Sequence, residues 1–132
     1  MNPFSEALAH SLTTTFPGME DQSEPESDYL TLVFPNPNEA DIGGLVIQTT
    51  EDNELWIRIF PGHSAYLADS EENLIDIITG VLNDEIFWAI GMKAENWFET
   101  ALVYSAEDVE AVPDVIHHVF SWSGEKDLTI MG

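Results

Sequence analysis

Glu54-Leu55-Trp56-Ile57-Arg58-Ile59-Phe60 is the stretch from which the fold can be read. Leu55, Ile57 and Ile59 fall on one side and Trp56, Arg58 and Phe60 on the other, the period of two that a half-buried β-strand requires. Pro61-Gly62-His63-Ser64 then reads as a turn. After it, Leu74, Ile75, Ile78, Val81 and Leu82 share one face at helical spacing. Asp69 or Ser70 is placed to cap that helix, and Glu71 and Glu72 lie in its first turn, where the helix dipole favours acids. Residues 86–90 and 97–104 read as two further strands around a loop. This strand–helix–hairpin unit holds most of the large apolar side chains, which places the core here.

Working outward, Asn2-Pro3 is a helix start: Asn caps free N–H groups and Pro is tolerated at the first helical position. Phe4, Leu8 and Leu12 follow on one side, predicting a helix over 3–15 that packs these three inward and ends at Pro17-Gly18. Residues 19–28 are acidic and nearly free of apolar anchors, so composition predicts a flexible acidic loop. Residues 29–34 and 45–50 read as strands, and Glu51-Asp52-Asn53 as a tight turn into the strand at Glu54. Downstream, Ser105 begins a single helical turn, and 115–122 with 128–131 form a last hairpin. The expectation is a single α+β domain over 1–132: a largely antiparallel meander sheet packed against a central helix and an N-terminal helix.

Charge is the dominant compositional feature. Twenty-five acidic residues face three cations, Arg58, Lys93 and Lys126, for a net charge of −22 on 132 residues. Such a field repels nucleic acid and anionic membrane and speeds association with basic proteins. Acidity that serves only solubility is the competing account. There is no cysteine, which excludes disulfides and thiolate metal sites. No basic leader or membrane-length apolar run is visible, and the expectation is a cytoplasmic protein.

No constellation points to catalysis. His117 and His118 are adjacent on a predicted strand and so point to opposite faces, which disfavours a shared metal ion. His63 lies in a turn near Tyr66, Asp69 and Glu72, where acid–base work is conceivable, but no nucleophile or oxyanion loop accompanies it. The carboxylate pairs are too many and too dispersed to mark a glycosidase dyad. Gly43-Gly44 is followed by no lysine, so it is not a phosphate loop. Neither an enzyme, nor a metal site, nor a cofactor is expected. Arg58, between Trp56 and Phe60, suits ring stacking, a cross-strand ion pair, or an anchor for a partner.

Pro35-Asn-Pro37, Leu45-Val-Ile47, the strand at 54–60, His63-Ser-Ala-Tyr66, Leu82-Asn-Asp-Glu-Ile86 and Ala101-Leu-Val103 together resemble small acidic bacterial toxin-immunity proteins. The resemblance covers about the middle half of the chain. Its strand leads into a His-x-His-Phe type turn; here His63 holds the first position, while Ala65 and Tyr66 stand where the second His and the Phe belong. A role carried by paired histidines is therefore not implied. What the resemblance implies is a stoichiometric inhibitor that docks on a basic toxin. The expected partner-binding residues are Glu51, Asp52, Glu54, Trp56, Arg58, His63, Tyr66, Asp69, Glu71 and Glu72. Two other classes fit the charge: a secretion chaperone, dimeric and bound to an effector, and a DNA mimic that occupies a nucleic-acid-binding protein. Composition leaves monomer and homodimer both open.

Overall fold

The computed structural model describes residues 1–36, 44–60 and 65–131, with the side chains of 59–60 and 97–100 outside the description. The chain is an α+β protein. Helix α1 (Pro3–Thr15) is followed by β1 (Glu20–Asp21), β2 (Thr31–Pro35), β3 (Gly44–Thr49), β4 (Leu55–Phe60) and β5 (Ala65–Ala68). Then come α2 (Glu71–Leu82), β6 (Phe87–Lys93), β7 (Asn96–Val103), a 3-10 turn at Ala106–Asp108, β8 (Val115–Phe120) and β9 (Leu128–Met131).

The strands divide into two antiparallel sheets, ordered β1-β2-β3-β4-β5 and β7-β6-β8-β9. The first is a pure meander. One sheet was the expectation; α2 intervenes between β5 and β6, and the later strands pair only among themselves. Two strands were not foreseen. β5, Ala-Tyr-Leu-Ala, carries little strand propensity and is held by its pairing with β4, Leu55 opposite Ala68 and Ile57 opposite Tyr66. β1 lies in the stretch expected to be a flexible loop. Met19 is buried beside it, Glu20 and Asp21 pair with Val33 and Leu32, and the Ser23 hydroxyl accepts from the Thr31 N–H at 2.8 Å. One apolar anchor and a few backbone bonds are enough to lay this acidic segment along β2.

The core forms where the inner faces of both sheets meet the helices. Leu32, Leu45, Ile47, Leu55 and Ile57 come from the first sheet, Trp88 and Ile90 from the second. Leu8 and Leu12 of α1, and Leu74, Ile78 and Val81 of α2, complete it. Ile75 and Leu82, expected on the buried face of α2, are half-buried, and Ile77 takes a fully interior place. At the start of α1 the expected burial of Phe4 is not observed; it is 36% exposed, whereas Ser5 is fully buried. The exchange has a polar cause: the Ser5 and Thr49 hydroxyls meet at 2.8 Å, which draws position 5 inward. Asn2 caps α1 through a bond from the Ser5 N–H, and Ser70 caps α2 through one from Asn73.

Candidate functional site

Tight turns and strand register set which acids share a surface. The β3–β4 turn closes with an Asn53 N–H bond to the Thr50 carbonyl at 3.0 Å and a left-handed Asn53 (φ 58°). Glu51 and Asp52 are exposed at its tip. Glu54, the next acid, accepts from the Thr50 hydroxyl at 3.1 Å, so one of its oxygens is held toward the turn. Because Leu55 pairs with Ala68, the start of β4 lies beside the end of β5 and the cap of α2. Glu54, Asp69 and Glu71 thereby line one open hollow of about 430 Å³. Phe4 from α1 and Leu67 from β5 line it too, 36% and 42% exposed. Apolar and acidic side chains thus line the same hollow. Glu72, one residue along α2, is exposed outside the lining.

The other expected residues fall elsewhere. Trp56 and Arg58 stand on the outer face of the first sheet, as their alternation predicts. Cross-strand pairing sets Thr31, Gln48, Trp56 and Leu67 in one row, and Val33, Val46, Arg58 and Ala65 in the next. Tyr66 pairs with Ile57 and so faces the opposite side of the sheet from Trp56 and Arg58. It therefore cannot join them in one contact surface. His63 lies outside the described residues. The ten residues expected as one site are thus, where described, an acidic end, an outer-face pair and a tyrosine on the far face.

Arg58 makes no hydrogen bond, ion pair or ring contact among the described residues, so neither the stacked role nor the cross-strand ion pair is formed there. Trp88 is buried in the core on the other sheet. His117 is buried on the outer face of the second sheet beneath the 104–114 connection, with Asp108 and Glu110 lining the same small cavity of about 170 Å³. His118 is half-buried on the opposite face, its ring beside that of Phe120. Among the described residues no group of three or more His, Asp or Glu could hold a metal ion.

Several acids are occupied structurally. Asp84 accepts from both the N–H and the hydroxyl of Ser123, and Asp127 from those of Ser121. Asp21 accepts from the Ser23 N–H. These bonds close loops, and the acidic rim around Phe4 and Leu67 is distinct from them. Sequence reasoning named the rim's acids but missed Phe4 and Leu67; the helical period placed Phe4 inside, and β5 was not read as a strand. No protein-family model, curated protein or solved structure matches the chain.

Proposed function

We propose that the protein is an acidic binding module that masks a basic protein partner, most simply as an immunity protein that blocks a cognate toxin. One observation carries this reading: Glu54, Asp69 and Glu71 rim a hollow that also presents exposed Phe4 and Leu67, with Glu51 and Asp52 on the adjoining turn. Specific interfaces pair an apolar centre with a polar rim, and charge of one sign recruits a partner of the other.

The two parts of the surface have separable duties. An exposed ion pair contributes only about 0.2–1 kcal/mol, so the rim's main effect is on encounter, where steering raises rates by roughly 10- to 1000-fold. Residence depends on the apolar centre. No helix among the described residues is long and apolar enough to cross a membrane.

The test is affinity capture from the host lysate at low and high salt, followed by binding kinetics with the captured basic protein. Neutralising Glu51, Asp52, Glu54, Asp69 and Glu71 to their amides should slow association about tenfold or more at low salt. Leu67→Ala should instead raise the dissociation rate. Co-expression should relieve any toxicity of the partner. An association rate indifferent to both the amide variant and salt would sink the reading.

A further inference from the structure

A second hollow, of about 560 Å³, lies on the outer face of the first sheet, and its chemistry differs from that of the acidic end. Thr31, Gln48 and Trp56 form its floor, one from each of three neighbouring strands. Arg58 stands at one corner, paired with the small Ala65 of the neighbouring strand. The opposite wall is the segment after β1: Gln22 donates to the Thr31 carbonyl, Ser27 closes a turn onto Glu24, and Glu24 and Tyr29 face the cavity. Its volume lies within the range of about 300–1,000 Å³ common to small-ligand sites.

The Ser27, Thr49 and Thr50 hydroxyls of the lining are engaged in local hydrogen bonds, but four other polar side chains are not. The Arg58 guanidinium, the Trp56 indole N–H, the Gln48 amide and the Glu24 carboxylate form no side-chain bond or ion pair among the described residues. In particular Arg58 and Glu24 do not pair with each other, although they line the same cavity. A fork of N–H donors that matches a carboxylate and a lone carboxylate that matches an ammonium therefore stand apart across one concave surface.

The separation selects the ligand's length. Glu24 flanks β2 on the side away from β4, so about three strand spacings of roughly 4.8 Å, about 14 Å in all, separate the two backbones. Allowing for the reach of the two side chains, a bridging ligand on the order of 6–10 Å long is inferred. At roughly 3.3–3.6 Å per residue, this is the span between the termini of two or three residues. A free amino acid is too short to reach both. Net charge selects in the same direction: at −22 the protein repels an anion, while a ligand whose two charges cancel enters without that penalty.

We infer that this hollow binds a short peptide of two or three residues with both termini free, its carboxylate on Arg58, its ammonium on Glu24, and its side chains on Trp56 and Tyr29. The inference rests on other charged residues than the partner-masking hollow, although Trp56 and Leu67 are cross-strand neighbours, and it is tested apart from it.

The probes are tripeptides of alanine around a central alanine, leucine or phenylalanine, each with free termini, N-acetylated, or C-amidated. Binding to the full chain is followed by the indole N–H resonance of Trp56, assigned by Trp56→Phe. Capping either terminus removes one charge-assisted hydrogen bond and should weaken binding about tenfold or more, so both capped forms should fall below the free peptide. Arg58→Gln should remove the discrimination between free acid and amide while keeping that between free and acetylated amine. Glu24→Gln should do the reverse. Both side chains are exposed, so the variants should fold as the parent does. Equal binding of free and capped peptides, or no response of the Trp56 resonance at millimolar peptide, would overturn the inference.

Discussion

Thr49→Val is expected to be far more costly than its size suggests. Thr49 sits at the end of β3, only 6% exposed, where α1, β2 and β3 meet. Its hydroxyl accepts from the Leu30 N–H at 2.8 Å and meets the Ser5 hydroxyl at 2.8 Å. Ser5 and Leu30 are 0% and 1% exposed, so water cannot replace a missing partner. Valine keeps the shape and the β-branch but removes the oxygen, orphaning one buried N–H and one buried hydroxyl. At roughly 1–3 kcal/mol for each of the two unsatisfied groups, less about 1 kcal/mol for the added methyl, the net cost is about 1–5 kcal/mol, centred near 3. Urea unfolding followed by tryptophan fluorescence would show this as a midpoint lowered by about 1 M or more, with the slope unchanged. The Ser5→Ala background supplies the control. There the hydroxyl is already gone, so Thr49→Val should cost at least about 0.5 kcal/mol less. A penalty within about 0.5 kcal/mol of zero in the parent, or one identical in both backgrounds, would refute the proposed polar joint.

Two further predictions concern close packing and strained backbone. Gly80 lies within α2, and a Cβ added there would approach the Ile86 Cδ1 and Cγ1 atoms to 2.5 and 2.7 Å. Alanine improves helix propensity by about 1 kcal/mol, but overpacking costs roughly 1–3, so Gly80→Ala should destabilise the parent yet stabilise an Ile86→Ala background. A same-signed effect in both, measured by thermal unfolding, would show that Ile86 is not the obstacle. Asp84 holds a left-handed conformation (φ 57°) while its carboxylate anchors Ser123 from the N–H and the hydroxyl. Asp84→Ala removes both bonds and strains the backbone, for about 2–4 kcal/mol, whereas Asp84→Asn, which keeps an acceptor and tolerates that conformation, should cost about half as much. Urea midpoints of the two variants check the ratio.

The local elements were legible wherever periodicity and capping agree. The alternation through 54–60 placed Trp56 and Arg58 on the outer face of the sheet. Ser70, together with the spacing of Leu74, Ile78 and Val81, defined α2. What stayed hidden depended on long-range partners. β5 exists because β4 lies beside it, and nothing in Ala-Tyr-Leu-Ala announces a strand. The inversion of Phe4 and Ser5 depends on a hydroxyl 44 residues away at Thr49, which no helical wheel contains. The division into two sheets rests on β6 pairing not only with its hairpin neighbour β7 but also with β8, a choice set by packing and not by chain proximity. The candidate site suffered in the same way: its acids could be named singly, but their company could not. Only register shows that Tyr66 faces away from Arg58, and that Glu54 lies near Asp69.

The placement of the three cations bears on why the protein is so acidic. Lys93 is exposed at the end of β6, next to the β6–β7 turn. Lys126 lies over the Phe87 ring at 5.9 Å, with its amine 3.5 Å from the Asp84 carbonyl, a local loop contact. Lys126 also lines a hollow but is engaged there, whereas Arg58 lines its hollow with its donors unspent among the described residues. If both proposals hold, excess carboxylate serves one surface through its range and spares the other through its net-neutral ligand, so ionic strength separates the two. Between 0.01 and 1 M salt the Debye length falls from about 30 to about 3 Å. Association at the Glu54–Asp69–Glu71 rim depends on the long-range field and should slow steeply over that span. A net-neutral tripeptide held by Arg58 and Glu24 feels mainly the two contacts, and its affinity should change much less. If both fell in parallel, a single electrostatic surface would account for both activities, and the separation of the outer face from the acidic end would be wrong.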